Sequence, residues 1–129
     1  MLDIAEEVLR QAGRLGHIGT EIPYCIIKNP EKYKHLFISN KWAAGKEMIV
    51  VDPSGYIKVC NHSPVRLIKY NELSKLKDHP YGQNFRNNNY IPKMCEGGKH
   101  LNVCHGGCRE AANVFYGNIN DNDPCFEKE

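Results

Sequence analysis

The chain has 129 residues and a formal net charge of +2, from 17 Lys and Arg against 15 Asp and Glu, which suits one ordinary domain rather than two. Its basic residues are spread along the chain with no block of about five or more, so nothing marks a nucleic-acid footprint. Leu, Ile, Val and Phe make 30 of the 129 residues, a thin core, while 13 Asn, 11 Gly and 7 Pro point to many turns; such small folds need a staple, and the six Cys are the candidates.

Residues 3–15 read as an amphipathic helix, with Ile4, Val8, Leu9, Ala12 and Leu15 on one stripe, Asp3 as N-cap and Gly16 as stop. The stripe has no chemistry of its own, and it is expected to pack on something outside this chain. Acidic residues stand where a signal peptide has its basic region, and no apolar run approaches the roughly 18 residues of a membrane span. The sequence therefore reads as soluble and cytoplasmic. In that reducing compartment cysteines are expected to hold metal rather than to pair.

Residues 29–36 (NPEKYKHL) suggest a short helix with Asn29 as cap and Pro30 at its first position. From Lys46 to Cys60 two β-branched runs flank Asp52-Pro53-Ser54-Gly55, the pattern of a β-hairpin. Further on, helical turns are expected near Glu72 to Lys77 and Tyr81 to Phe85. After Gly106-Gly107, a helix over Cys108 to Tyr116 ends at Gly117, with Cys108, Ala111, Ala112 and Phe115 on one face. The fold class expected is α+β: a small, loop-rich, metal-stapled domain with a β-hairpin and a C-terminal helix, preceded by an N-terminal helix.

Cys60 follows Gly55 and ends a hairpin strand, and Cys95, Cys104, Cys108 and Cys125 come later. Sulfurs projected from a strand end and a helix start are well placed to share a metal. Thiolates select zinc or iron-sulfur clusters over hard cations, and about four complete either site. Paired CxxC knuckles, the usual zinc spacing, are absent; CEGGKHLNVC and CHGGC are wider and lean toward a cluster, with glycines where backbone passes close by.

KEMIVVDPSGYIKVC together with CEGGKHLNVCHGGCREAANVFYGNINDNDPC resembles the SPASM domain, the auxiliary cluster-binding extension of radical S-adenosylmethionine (SAM) enzymes that modify peptides. The resemblance spans roughly residues 22 to 126. Its most specific piece is Gly55xxxxCys60 combined with Cys104xxxCys108 and the distant Cys125. It implies one or two 4Fe-4S clusters, a radical SAM barrel in the same full-length protein, a peptide substrate, and a role in electron transfer or substrate positioning. Residues 1–20 would then be the tail of that barrel and 21–129 the auxiliary domain. The barrel's own CxxxCxxC motif is absent, so no catalysis by this chain alone is expected.

Two positions depart from the family pattern. Asn40 and Trp42 stand where an early Cys is expected, the nearest substitute being Cys25, and Gly98 replaces the second Cys of the late group. By resemblance, one cluster would use Cys25, Cys60 and Cys108, and the other Cys95, Cys104 and Cys125. Each set is one thiolate short, with His62, His105, Asp121 and Asp123 as candidate completing groups; a single four-Cys site with two bystanders is the competing arrangement. Arg109, in GGCR, reads either as a partner of an anionic cluster or substrate carboxylate, or as a structural helix residue. The six His form no spaced zinc-enzyme pair, and Trp42 and the seven Tyr read as core and interface residues. Two other function classes remain: a zinc-stabilised interaction module, and a free-standing electron carrier.

Overall fold

The computed structural model describes residues 1–38 and 43–126, and the fold is α+β. In chain order it holds α1 (Leu2–Ala12), β1 (Gly16–Ile18), β2 (Leu36–Ile38), β3 (Val50–Val51), β4 (Ile57–Lys58), α2 (Pro80–Arg86), α3 (Leu101–Cys104) and α4 (Arg109–Tyr116). Single 3-10 turns at Tyr24–Ile26, Pro30–Lys32, Lys93–Cys95 and Pro124–Phe126, and a longer 3-10 stretch at Tyr70–Asp78, fill the connections. Asn40 and Trp42 lie outside the described residues.

α1 begins and ends earlier than its periodicity implies. Met1 is the N-cap, and the stop is Gly13, which takes a left-handed φ of 60° and returns its N–H to Arg10. Gly16 instead opens β1. Asp3 does not cap the helix, because its carboxylate accepts the Tyr33 hydroxyl at 2.8 Å and pairs with Lys32. Nor does the apolar stripe pack on the cysteine-rich part, since Ile4 is 70% and Val8 59% exposed. Polar bonds anchor α1: the Glu6 carboxylate accepts the backbone N–H of Lys34, His35 and Leu36 and contacts His35 Nδ1 at 2.9 Å. These bonds hold its pKa below the usual carboxylate range despite the opposing effect of burial.

β1 and β2 pair in parallel, with His17 opposite Phe37. No alternating run flags so short a pair in the sequence, and a parallel pair needs a long crossover. The crossover here, residues 19–35, carries Cys25. The helix expected over 29–36 shrinks to the turn Pro30–Lys32, because the following residues enter β2.

The hairpin forms as expected, β3 antiparallel to β4 with Val51 opposite Ile57. Its turn is held by Asp52: Oδ1 accepts the N–H groups of Ser54 and Tyr56, and Oδ2 accepts Arg66 Nε at 3.0 Å. Those donors, Ser54 foremost, bring the Asp52 carboxyl down to about 2. Gly55, at φ 82°, supplies the positive dihedral that closes the loop. The chain then returns along the far side of β4, where Ile57 donates to Ile68 O at 2.7 Å and Leu67 to Ile57 O at 2.8 Å.

The core gathers Ile57, Val59, Cys60, Leu67, Phe85, Tyr90, Cys108 and Ile119. It sits between the hairpin, α2 and the start of α4, so two of the six cysteines belong to it. α4 buries Arg109, Glu110 and Ala112 in its first turn but extends its last turn into solvent, and Phe115 is 68% exposed. The face read from periodicity therefore holds at Cys108 and Ala112 and fails at Phe115, because the helix outruns the core it starts in. Among the described residues, no helix is long and apolar enough to cross a membrane.

Candidate metal centre

All six cysteines are free thiols. Cys60 follows β4, and Cys108 is the N-cap of α4. The other four lie within or at the end of single helical turns: Cys25 in Tyr24–Ile26, Cys95 ending Lys93–Cys95, Cys104 ending α3, and Cys125 in Pro124–Phe126. Such turns project a side chain from a fixed backbone without needing a long element.

Five of the six cysteines divide between two cavities, and Cys125 lines neither. One, of about 310 Å³, is lined by Cys25, Cys95 and Cys104 together with Gly98, His100 and Phe126. The other, of about 210 Å³, is lined by Cys60 and Cys108 together with Glu21 and His62. Cys60 and Cys108 thus meet as the hairpin and helix imply. Cys25 does not line that cavity; it lines the other with Cys95 and Cys104, whereas the resemblance grouped it with Cys60 and Cys108. The reason is the crossover from β1 to β2, which carries Cys25 to the later cysteine loop, whereas Glu21 from its first residues reaches the Cys60 side. Among the described residues no three His, Cys, Asp or Glu side chains converge on a single ion.

Burial pushes the thiols of Cys25, Cys60 and Cys95 up, and those of Cys108 and Cys125 up to about 11. Neighbouring thiols reinforce the shift within each group: Cys104 acts on Cys25, both act on Cys95, and Cys60 acts on Cys108. The donor set suits soft-metal chemistry once these protons leave.

Asp123 links the loops that carry Cys108 and Cys125. It is buried, its Oδ2 accepts the Cys108 N–H at 2.7 Å, and its Oδ1 accepts the Cys125 N–H at 2.9 Å. The carboxylate therefore sits at the N-terminus of α4, where the exposed amide donors favour negative charge. Both oxygens accept backbone N–H groups and the carboxylate also takes the Cys125 side chain as a hydrogen-bond partner, so Asp123 clamps two cysteine loops together.

Arg109 is fully buried, and its guanidinium donates to the carbonyls of Gly107 (3.2 Å), Ile119 (3.1 Å), Asp121 (2.6 Å) and Gly106. It stitches the Gly106-Gly107 loop to the 119–121 return, which is the structural alternative of the sequence reading. Those glycines take φ of 90° and 85°. A Cβ on Gly106 would stand 2.7 Å from Pro92 Cδ, and one on Gly107 2.6 Å from Pro23 Cγ and against Asp123 Oδ2. The pair lets the loop pass under Arg109 and Asp123.

His62 lines the Cys60 cavity. His105, at the end of α3, faces a separate cavity with Asn88, Ile91 and Asn102, and the Asp121 side chain faces others with Asn122, so neither lines a cysteine cavity. Sequence reasoning missed three neighbours. Glu21 and His100 line the two cysteine cavities, and neither carries a spacing signal. Glu110, fully buried in α4, accepts the Tyr81 hydroxyl at 2.8 Å; a charged residue beside Arg109 in a surface-like helix pattern gives no hint of burial. Burial raises the Glu110 carboxyl and, with the Glu110 bond, the Tyr81 phenol.

Comparison with protein-family models, with curated proteins and with solved structures gives no match to this chain. What fold and site define is a small α+β domain with six free cysteines, five of which line two cavities.

Proposed function

We propose that this chain is an auxiliary iron-sulfur domain of a radical SAM enzyme that modifies a peptide, acting in the cytoplasm beside a barrel domain of the same protein. The observation that carries the reading is the cavity lined by Cys25, Cys95 and Cys104, three soft donors from separate loops around one space. When bound there, a cluster supplies one-electron chemistry whose potential depends on hydrogen bonds and solvent exposure. The chain's own residues do the rest: single helical turns aim the thiols, Asp123 fixes the cysteine loops at residues 108 and 125, and Arg109 locks the glycine loop between Cys104 and Cys108.

A second reading, a zinc-stabilised module, draws on the Cys60 cavity, whose lining includes two thiols, His62 and Glu21, residue types that zinc accepts. Anaerobic preparation of the full chain followed by iron and sulfide counting separates the two. A brown protein with iron and sulfide in equal amounts supports the cluster; a colourless one with stoichiometric zinc, prepared without air, refutes it. A free-standing carrier would be distinguished by a natural reading frame that carries no barrel upstream.

A further inference from the structure

Three cavities follow one another along residues 91–105, and we propose that the two lined by asparagines bind an extended peptide segment through its backbone. The inference stands on the cavities themselves and does not depend on a metal being bound.

The first cavity, of about 540 Å³, is lined by Lys93 and Glu96 on one side and by Asn118, Asn120, Asp121 and Asn122 on the other. The second, of about 420 Å³, is lined by Asn88, Lys99, Asn102 and His105. Ile91 belongs to both linings, and Gly98, Lys99 and Leu101 are shared between the second cavity and the one that holds Cys25, Cys95 and Cys104. The three spaces therefore adjoin in series, from the 118–122 return to the cysteines.

Their polar walls are amides. Asn88 is held in place, since its Oδ1 accepts Lys46 Nζ and the Tyr90 hydroxyl, and Asn120 is held because its Nδ2 donates to Asn89 O at 3.0 Å. Asn118 Oδ1 accepts the Asn120 N–H, which leaves the Asn118 NH₂ group to the cavity. Asn102 and Asn122 are exposed, and their side chains make no hydrogen bond among the described residues. An Asn amide carries donors and an acceptor in one plane, as a peptide unit does, so each can pair with a backbone N–H and C=O whatever the side chain beside them. In an extended segment the side chains alternate between faces, and Ile91 and Leu101 offer apolar contact to those that point inward.

Charge and ring content narrow the ligand class. Lys93 and Lys99 are matched by Glu96 and Asp121, so the walls carry no excess of positive charge for a polyanion such as nucleic acid. Among the described residues neither cavity is lined by Phe, Tyr or Trp, so a sugar ring finds no aromatic face to stack on. A peptide backbone needs neither.

The test is a nuclear magnetic resonance titration of the full isotope-labelled chain, thiols kept reduced, with an unlabelled peptide of alternating Leu and Ser blocked at both ends. The side-chain amide signals of Asn102 and Asn122 and the backbone signals of Ile91 and Leu101 should shift together. The same peptide with its backbone nitrogens methylated cannot donate, and should bind at least about tenfold more weakly. Asn102→Leu and Asn122→Leu, changes of similar volume at exposed positions, should each weaken the parent peptide about fivefold, the loss of about one hydrogen bond. Asn71→Leu, exposed and outside the three cavities, should leave binding unchanged. Equal binding of the methylated peptide, or shifts that spare Asn102 and Asn122, overturns the proposal. So does maltohexaose moving those signals while the peptide leaves them in place. Backbone recognition tolerates any sequence, so no peptide binding at millimolar concentration overturns it as well. Iron and sulfide counts on the same chain are read separately, and the metal reading stands or falls on those alone.

Discussion

Replacing Arg109 by Met removes a charge but keeps an unbranched stem of similar reach, so the loss falls on the four carbonyls of Gly106, Gly107, Ile119 and Asp121. Hydrogen bonds to charged groups contribute about 1.5–3 kcal/mol each, which summed naively gives roughly 6–12 kcal/mol. Part of that is offset, because burial already disfavours the guanidinium charge and lowers its pKa, and Met removes that cost. Breaking a buried charged network by deleting one partner typically costs about 3–5 kcal/mol, which is the expected net loss. For a chain of this size it corresponds to a fall in thermal midpoint on the order of 10–20 °C. Far-UV circular dichroism of the anaerobically loaded chain at fixed scan rate measures it, with Arg109→Lys expected between the two because an ammonium cannot reach all four oxygens. An Arg109→Met midpoint within about 2 °C of the parent would refute the stitching role. If that variant lost peptide binding instead, Arg109 would be assigned to the substrate.

Gly107→Ala should destabilise by about 3 kcal/mol, combining roughly 1–2 for a left-handed backbone with overpacking against Pro23 and Asp123; urea unfolding checks it, and a loss below about 1 kcal/mol would show that the loop relaxes freely. Glu110 has a folded pKa raised above its usual 4.5, so its proton contributes stability that is complete below pH 4.5 and is lost as pH rises through the raised value. Glu110→Gln keeps an acceptor for Tyr81 without titrating, so the variant's stability relative to the parent should grow between pH 5 and pH 8; a constant or shrinking difference in urea midpoints would contradict the burial argument. The thiols of Cys108 and Cys125 sit at about 11 and are protonated at neutral pH, so metal uptake must expel protons. Calorimetry with Zn²⁺ as probe, in buffers of different ionisation enthalpy at pH 7.5, should show at least about two protons released per ion, and affinity falling about tenfold per released proton for each unit of lowered pH. No release would mean that thiols are not the ligands.

Several elements were legible because their signals are local. The DPSG turn, the Gly117 stop and the short helices near residues 72 and 81 depend on dihedral preferences of a few adjacent residues, and each appears close to its expected place. Phe115 and the boundaries of α1 were misplaced because periodicity specifies a face, not how far the core extends along it or which groups compete for a capping carboxylate. The parallel β1–β2 pair left no trace, since three-residue strands carry too little alternation to be read.

The sequence by itself determined the chemistry available: six soft donors, two glycine-rich loops, a hairpin ending in Cys60 and a helix starting at Cys108. Only the tertiary structure decided how those donors are shared, because the path of the crossover through Cys25 depends on a strand pairing between residues 16–18 and 36–38. It also decided that Arg109 and Asp123 face backbone amides and carbonyls. Ligand identity follows from side-chain chemistry, which composition lists, whereas ligand grouping follows from chain path, which long-range packing fixes.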